Sequence, residues 1–100
     1  VALVGNSSAG MIESAAVGAI AVNVGDRQRG REHAGNVVHC RTDRKTIAET
    51  LRRLRDAPAW ARELRNAPCI FGDGRASARI AAVLATLDLS AARRIKLNAY

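Results

Sequence analysis

The stretch Val1-Ala-Leu-Val-Gly-Asn-Ser-Ser-Ala-Gly-Met-Ile-Glu13 decides the fold of this 100-residue chain. It begins with an apolar run, Val1 to Val4, that stops at Gly5, a pattern typical of a buried central strand in a parallel sheet. The polar side chains that follow, among them Ser7 and Ser8, favour turns and helix N-caps because their oxygens accept hydrogen bonds from free backbone N–H groups. The stretch therefore predicts a strand, a tight turn and a helix.

A helix that starts directly after a parallel strand favours an anionic ligand at its first turn. Its free N–H groups and positive dipole end lie at the carboxyl edge of the sheet, where α/β proteins bind phosphate. We predict this helix over about Ala9 to Val17, and small residues at Ser7, Ser8 and Gly10 allow a ligand to approach its backbone. Glu13 does not favour phosphate, but it accepts hydrogen bonds from a ribose. An ordinary strand-to-helix connection has the same pattern, and neither a G-x-G-x-x-G nor a Walker loop is present.

Length and composition restrict the chain to one small domain or a piece of a larger one, and a strand at residue 1 without an initiator Met favours a piece. The formal net charge of +7 suggests a nucleic-acid-binding module. Against this, only 3% of the residues are aromatic, and no helix-turn-helix, RNA-recognition or zinc-finger pattern occurs. We therefore predict no nucleic-acid partner. With no signal peptide and no long apolar run, we expect a cytoplasmic protein without a membrane partner.

Cysteines and histidines indicate no metal site. Cys40 and Cys69 are far apart and form no C-x-x-C, so we predict free thiols in a reducing cytosol. His39 is expected to be a packed or hydrogen-bonded residue of a strand, and His33, in the loop before it, is the better functional candidate. No second metal-type ligand stands at a suitable sequence spacing, so the sequence predicts no metal ligands.

A second and a third strand are predicted at Ala19–Val24 and Val37–His39, parallel to the first. The loop between them is rich in glycine and charge, and the guanidinium fork of arginine suits a pyrophosphate. Because this loop follows the carboxyl end of the second strand, it should fold over the same sheet edge as Ser7 and Ser8. A solvated loop without a ligand is the alternative interpretation.

Helices dominate the rest of the chain. We predict one that begins after Asp43 as N-cap, a short one from Pro58 to Asn66, and a last one after a Gly-Asp-Gly turn. Apolar side chains at helical spacing are expected to form core-facing stripes on the first and last of these: Ile47, Leu51 and Leu54, then Ile80, Val83, Leu84 and Leu87. The order of elements indicates an α/β fold with a parallel sheet. Residues 90–100 are expected to form a peripheral tail.

Three motifs follow one another along the chain: Gly5-Asn-Ser-Ser-Ala-Gly-Met-Ile-Glu13, Val22-Asn-Val-Gly-Asp-Arg-Gln-Arg-Gly-Arg-Glu32 with Asn36-Val37, and Phe71-Gly-Asp-Gly-Arg-Ala76 with Arg79-Ile80. Together they resemble the UDP-N-acetylglucosamine 2-epimerase family, in its hydrolysing branch that makes N-acetylmannosamine for sialic acid. In that branch the first motif has the pattern G-N-S-S-x-G-x-x-E and the second has the pattern N-[IL]-G-x-R-Q-x-G-R-E. Non-hydrolysing relatives lack the R-Q-x-G-R-E run. The resemblance covers about residues 1–89.

The resemblance implies a glycosyltransferase-B-type fold, in which the substrate lies in a cleft between two Rossmann-like domains. Residues 1–89 would be the end of the C-terminal, UDP-binding domain. The implied reaction converts UDP-N-acetylglucosamine and water to N-acetylmannosamine and UDP, through removal of the C2 proton with loss of UDP and then addition of water. The implied partner is a UDP-sugar, the full-length enzyme is expected to be a homo-oligomer, and no cofactor is implied.

Site residues are carried over position by position. The serines that contact the diphosphate match Ser7 and Ser8, the glutamate that holds the ribose hydroxyls matches Glu13, and an arginine of the UDP site matches Arg27. Three further residues complete the predicted set: Gly10 as a UDP-binding residue, and Gln28 and Arg31 as support.

The chain also departs from the family pattern. The family usually has a proline before the second strand, where this chain has Ala19-Ile20, which affects no ligand contact. The family's acid/base residues lie outside the matched segment, so we predict no catalytic residue here and expect the segment alone to be inactive. Two alternatives fit the same residues: a hydrolysing UDP-diacetylbacillosamine 2-epimerase, and a glycosyltransferase of the same fold, which the R-Q-x-G-R-E run disfavours.

Overall fold

The computed structural model describes residues 1–88, so the predicted tail at 90–100 lies outside the described residues. Within this range the strands are β1 (Ala2–Gly5), β2 (Ile20–Val24) and β3 (Val37–Cys40). The helices are α1 (Ser8–Ile12), α2 (Arg44–Asp56), α3 (Pro58–Arg65) and α4 (Ala76–Thr86), with a 3-10 helix at Ser14–Val17. Elements of the predicted types therefore occur in the predicted order.

The three strands form one parallel sheet in the order β1-β2-β3. Ala2 pairs with Ile20, and Ala21 pairs with Val37, so all three carboxyl ends lie at the same edge. The predicted α/β architecture with a parallel Rossmann-like sheet is confirmed.

β2 is the buried centre of this sheet, and the prediction that Val1–Val4 form a buried central strand is wrong for this chain. β1 is an edge strand, with Leu3 45% and Val4 46% exposed, whereas Val22 is 1% exposed. The reason is that β2 has a strand on each side and helices on both faces, while β1 has only β2 beside it among the described residues.

Helices cover opposite faces of β2. Successive strand residues point to opposite faces, so Ile20 and Ala21 mark the two sides. Ile20 packs with Ala61 and Leu64 of α3. On the other side Gly10 of α1 lies so close that a Cβ added to it would meet the Cβ of Ala21 at 3.5 Å. The small residue allows the helix to lie directly on the sheet.

The predicted first helix is interrupted, and this changes the setting of Glu13. α1 ends at Ile12, and a 3-10 helix follows from Ser14 to a left-handed Gly18 with φ 63°. The hydroxyl of Ser14 donates to the carbonyl of Gly10 at 2.7 Å. Such a side-chain bond to the carbonyl four residues earlier bends helices. Glu13 therefore lies at the junction of two short helices rather than inside one helix.

The C-terminal helices begin where the sequence predicts, but their apolar stripes are less buried. Asp43 caps α2, since its Oδ1 accepts from the backbone N–H of Thr46 at 2.8 Å. Leu51 of α2 is 39% exposed, and every described residue from Ile70 onward is exposed, including those of α4. The predicted core stripe of α4 is thus not packed against other described residues. No helix within residues 1–88 is long and apolar enough to cross a membrane.

Candidate functional site

The turn after β1 presents the two predicted serines at the carboxyl edge of the sheet. Ser7 is the N-cap of α1, and its Oγ accepts from the backbone N–H of Ala9 at 3.3 Å. Ser8 is the first residue of the helix, one residue before the predicted start at about Ala9, and both serines are exposed. An anion at this turn would meet small hydroxyl side chains and the first backbone N–H groups of α1.

The arginine-rich loop lies against the same turn. Gln28, only 6% exposed, donates from Nε2 to the carbonyl oxygen of Asn6 at 2.8 Å. This bond joins the loop after β2 to the turn after β1. The prediction that the loop folds over the serine edge is therefore confirmed. Arg27, next to Gln28, is exposed, and so is Arg31.

Glu13 is also exposed and lies at the far end of α1. Five residues separate it from Ser8, which corresponds to about 7–8 Å along a helix axis. Its backbone is held on both sides: its N–H donates to Ala9 and its carbonyl accepts from Ala16. The carboxylate is thus presented to solvent from a fixed backbone.

Gly10 has a packing role that the sequence alone did not reveal. It is buried, and a Cβ added to it would meet Leu3 Cδ2 at 3.1 Å as well as Ala21. The absence of a side chain there allows close helix-to-sheet packing, independently of a ligand. Contact between Gly10 and UDP stays a prediction.

A buried amide network supports the junction where Glu13 lies. The Nδ2 of Asn36 donates to Ser14 Oγ at 2.6 Å and to the carbonyl of Ala19 at 2.7 Å. Asn36 is 1% exposed, and its Oδ1 has no hydrogen-bond partner. Asn36 belongs to the second family motif, but the sequence indicated no role for this residue. The sequence feature that could have indicated its structural role was an amide residue directly before an apolar strand.

A cleft of about 860 Å³ is lined in part by the arginine-rich loop. Its lining includes two predicted support residues, Gln28 and Arg31, but not Arg27. The serines and Glu13 do not line it either. The predicted set is thus divided: Gln28 and Arg31 line the cleft, whereas the other predicted residues do not, and Gln28 also bonds to the serine turn.

Charged side chains surround the cleft without pairing there. It is lined by three arginines and two acids: Arg29, Arg31, Arg41, Asp26 and Glu32. Within residues 1–88 the ion pairs are elsewhere, between Arg55 and Asp56 and between Arg79 and Asp73. The guanidinium groups of the cleft are therefore available to an oxyanion.

The two histidines meet in this cleft, which sequence analysis did not predict. Their Nε2 atoms lie 3.2 Å apart. His39 Nδ1 is 3.0 Å from the amide nitrogen of Asn23, and His33 Nδ1 is 2.9 Å from the carbonyl of Ala34. His39 is exposed but hydrogen-bonded, which agrees with the prediction of a satisfied strand histidine. The sequence could have indicated this contact only indirectly, through the pairing of β2 with β3 that places Asn23 beside His39.

The cysteine of the cleft is a protonated thiol rather than a thiolate. Burial raises the pKa of Cys40, and the carboxylate of Asp43 raises it further. A thiolate is the form that attacks electrophiles and binds metals. Cys40 is thus unsuited to nucleophilic work at neutral pH. Within the described part of the chain, no three His, Cys, Asp or Glu side chains come together to hold a metal ion.

Comparison with known proteins relates most of the chain to one family. The sequence profile of the family described as UDP-N-acetylglucosamine 2-epimerase matches residues 1–85. The UDP-N,N'-diacetylbacillosamine 2-epimerase (hydrolyzing) of Legionella pneumophila subsp. pneumophila is 36% identical over 98 residues. The match covers 98% of this chain and 25% of that protein, so the chain spans about a quarter of the relative's length.

Proposed function

Because the chain belongs to the UDP-N-acetylglucosamine 2-epimerase family, we propose that it is the UDP-binding segment of a hydrolysing 2-epimerase. The proposed reaction converts UDP-N-acetylglucosamine and water to N-acetylmannosamine and UDP. The observation that carries the proposal is the hydrogen bond from Gln28 to Asn6, which holds an arginine-bearing loop beside a serine turn at one sheet edge.

The diphosphate is assigned to the serine turn. Ser8 offers an exposed hydroxyl, and the Ser7 hydroxyl, which accepts from the N–H of Ala9, can still donate its own proton. Arg27 follows the same edge of the sheet and supplies positive charge. A forked guanidinium forms paired hydrogen bonds with phosphate oxygens, which a backbone N–H group cannot do.

The ribose is assigned to Glu13. A carboxylate accepts hydrogen bonds from two neighbouring hydroxyls, and its position about 7–8 Å from Ser8 along the helix axis separates it from the diphosphate. Asn36 supports this assignment indirectly, because it binds Ser14 next to Glu13 and so holds the junction of the two helices.

The chemistry of the reacting sugar is assigned to other parts of the polypeptide. The reaction removes the C2 proton and releases UDP, and water then adds to the resulting glycal. None of the residues proposed here is an acid or base for these steps, so this segment contributes binding and orientation. We expect it to be inactive alone and to bind UDP weakly without the opposing domain.

A diacetylated bacillosamine derivative is the second candidate sugar, because a relative 36% identical over 98 residues carries that name. The proposed UDP contacts do not distinguish the two sugars. With N-acetylmannosamine as product, the enzyme would act in sialic acid synthesis. We further propose a cytoplasmic homo-oligomer, in keeping with the free thiols of Cys40 and Cys69.

Product analysis of the full-length protein tests this function. The enzyme is incubated separately with UDP-N-acetylglucosamine and UDP-diacetylbacillosamine, with no acceptor, and the products are separated by anion exchange. Equimolar free UDP and 2-epimerised free sugar from one substrate support the proposal and identify that sugar. A UDP-linked epimer without free UDP indicates a non-hydrolysing epimerase, and no reaction until an acceptor is added indicates a glycosyltransferase.

A further inference from the structure

From the histidine pair in the cleft, we infer a two-histidine binding site for a divalent transition-metal ion, with Zn²⁺ as the reference ion. His33 and His39 are the two histidines of the chain, and they come from different elements, a loop and β3. Imidazole nitrogen is a ligand that suits Zn²⁺, Ni²⁺ and Cu²⁺. The inference is independent of the proposed UDP contacts.

The separation of the two rings matches shared coordination. Two imidazole nitrogens on one tetrahedral Zn²⁺, each roughly 2.05 Å from the ion, lie about 3.2–3.4 Å apart. The two Nε2 atoms are 3.2 Å apart. A collinear N–H···N hydrogen bond of this length would put the ring centroids about 5.5 Å apart, whereas two rings directed at one ion would put them about 5.0 Å apart. The observed separation is 4.9 Å.

Hydrogen bonds on the far side of each ring can orient the lone pairs. His33 Nδ1 lies 2.9 Å from the carbonyl oxygen of Ala34, which only accepts, so the proton is on Nδ1 and Nε2 carries the lone pair. A metal-binding histidine typically donates its second N–H to such a partner. The loop thus holds one ligand in the binding tautomer before any ion arrives.

Asn23 can orient the second ring. It is 3% exposed, and its Oδ1 has no hydrogen-bond partner. Without a metal, its Nδ2 donates to His39 Nδ1, and His39 Nε2–H donates to His33 Nε2. A half-turn of the amide places Oδ1 against His39 Nδ1 and breaks the hydrogen bond that Nδ2 donates to the carbonyl of Gly25 at 3.2 Å. The proton of His39 then moves from Nε2 to Nδ1 without net release, and the Nε2 lone pair is free to bind the ion.

The ion would retain open positions. Within residues 1–88 the pair supplies two nitrogen ligands, and no third His, Cys, Asp or Glu side chain joins them in a cluster that could hold the ion. Water fills the remaining positions, and the three arginines that line the cleft favour exchange of that water for an oxyanion. Asp26 and Glu32 on the same lining offset the positive charge of the arginines.

Calorimetric titration of the chelator-treated full-length protein with Zn²⁺ tests the site. We compare wild type with His33→Gln, His39→Gln and the double variant. Each single variant is expected to weaken one binding event by at least about 10-fold, and the double variant to lose it. Cys69→Ser is the control for adventitious thiol binding and should leave that event unchanged. Equal stoichiometry and affinity in wild type and double variant would overturn the inference.

Co²⁺ binding provides a second readout that separates ligand loss from misfolding. In wild-type protein, bound Co²⁺ should shift the ring-proton resonances of both histidines far outside their usual range. The single variants retain one histidine, so one set of shifted signals should remain at high Co²⁺ concentration. Co²⁺ bound to wild type without shifted signals from His33 and His39 would place the ion elsewhere.

Discussion

Gln28 donates a hydrogen bond to the carbonyl oxygen of Asn6 at 2.8 Å, and the two residues follow the carboxyl ends of neighbouring strands. The bond is local in space but spans 22 residues of sequence. It ties the loop that carries Arg27 to the serine turn, while Arg29 lines the cleft. The proposed diphosphate site thus depends on one amide side chain that need not touch the ligand.

Replacement of Gln28 by Ala should weaken UDP binding by the full-length enzyme. The change removes the bond to Asn6, and a typical hydrogen bond contributes about 1–1.5 kcal/mol, which corresponds to roughly 5- to 13-fold in affinity. Arg29→Ala, one residue away on the cleft side, is the control and should alter UDP affinity less than twofold. Isothermal titration with UDP measures both. An unchanged affinity for Gln28→Ala would separate the loop from the nucleotide site.

Glu13→Gln should raise KM for the UDP-sugar and weaken inhibition by UDP together. Hydrogen bonds to a charged group contribute roughly 1.5–3 kcal/mol, which corresponds to about 10- to 150-fold in affinity. The effect on kcat should be smaller, because ribose contacts are similar in the ground and transition states. Steady-state kinetics with UDP as inhibitor provides the measurement. Glu49→Gln, on the exposed surface of α2, is the matched control. Loss of kcat with intact UDP affinity would make Glu13 an acid/base residue.

Asn36→Ala should lower the free energy of unfolding by about 2–3 kcal/mol, because one buried and one partly buried partner lose their donor. Those partners are Ser14 Oγ and the carbonyl of Ala19. Asn66→Ala, at an exposed helix end, is the control and should change stability by less than about 0.5 kcal/mol. Urea denaturation compares the two. Equal urea midpoints for Asn36→Ala and Asn66→Ala would show that the amide network contributes little to stability.

Acid should weaken the start of α2. Hydrogen bonds from Thr46 hold the pKa of Asp43 below its usual value of 3.8. Because the folded-state pKa is the lower one, the cap stabilises the fold fully above the unfolded pKa, and this contribution is lost as the pH falls through the folded pKa. Asp43→Asn retains an acceptor for the cap but does not titrate. Its thermal stability should therefore fall less than that of wild type from pH 5 to pH 2.5. Parallel pH profiles would contradict this assignment.

Local chemistry made much of the fold predictable from sequence. Several signals act within a few residues of sequence. They are the apolar runs of β1, β2 and β3, the N-cap at Asp43, and the proline at the start of α3. The motif matches around Ser7 and Glu13 likewise identified the family before any geometry was known. Parallel pairing followed from the strand–helix–strand order, and with it the common edge for the serine turn and the arginine loop.

Only the tertiary structure decided which side chains meet. Four features depend on how separate elements pack. They are the edge position of β1, the break in the first helix, the bond from Gln28 to Asn6, and the approach of His33 to His39. Periodicity indicates which face of a strand or helix is apolar, but not which residues cover that face. The identity of a polar loop residue likewise does not indicate its hydrogen-bond partner. Burial and long-range hydrogen bonding arise when distant segments come together, so they became visible only in three dimensions.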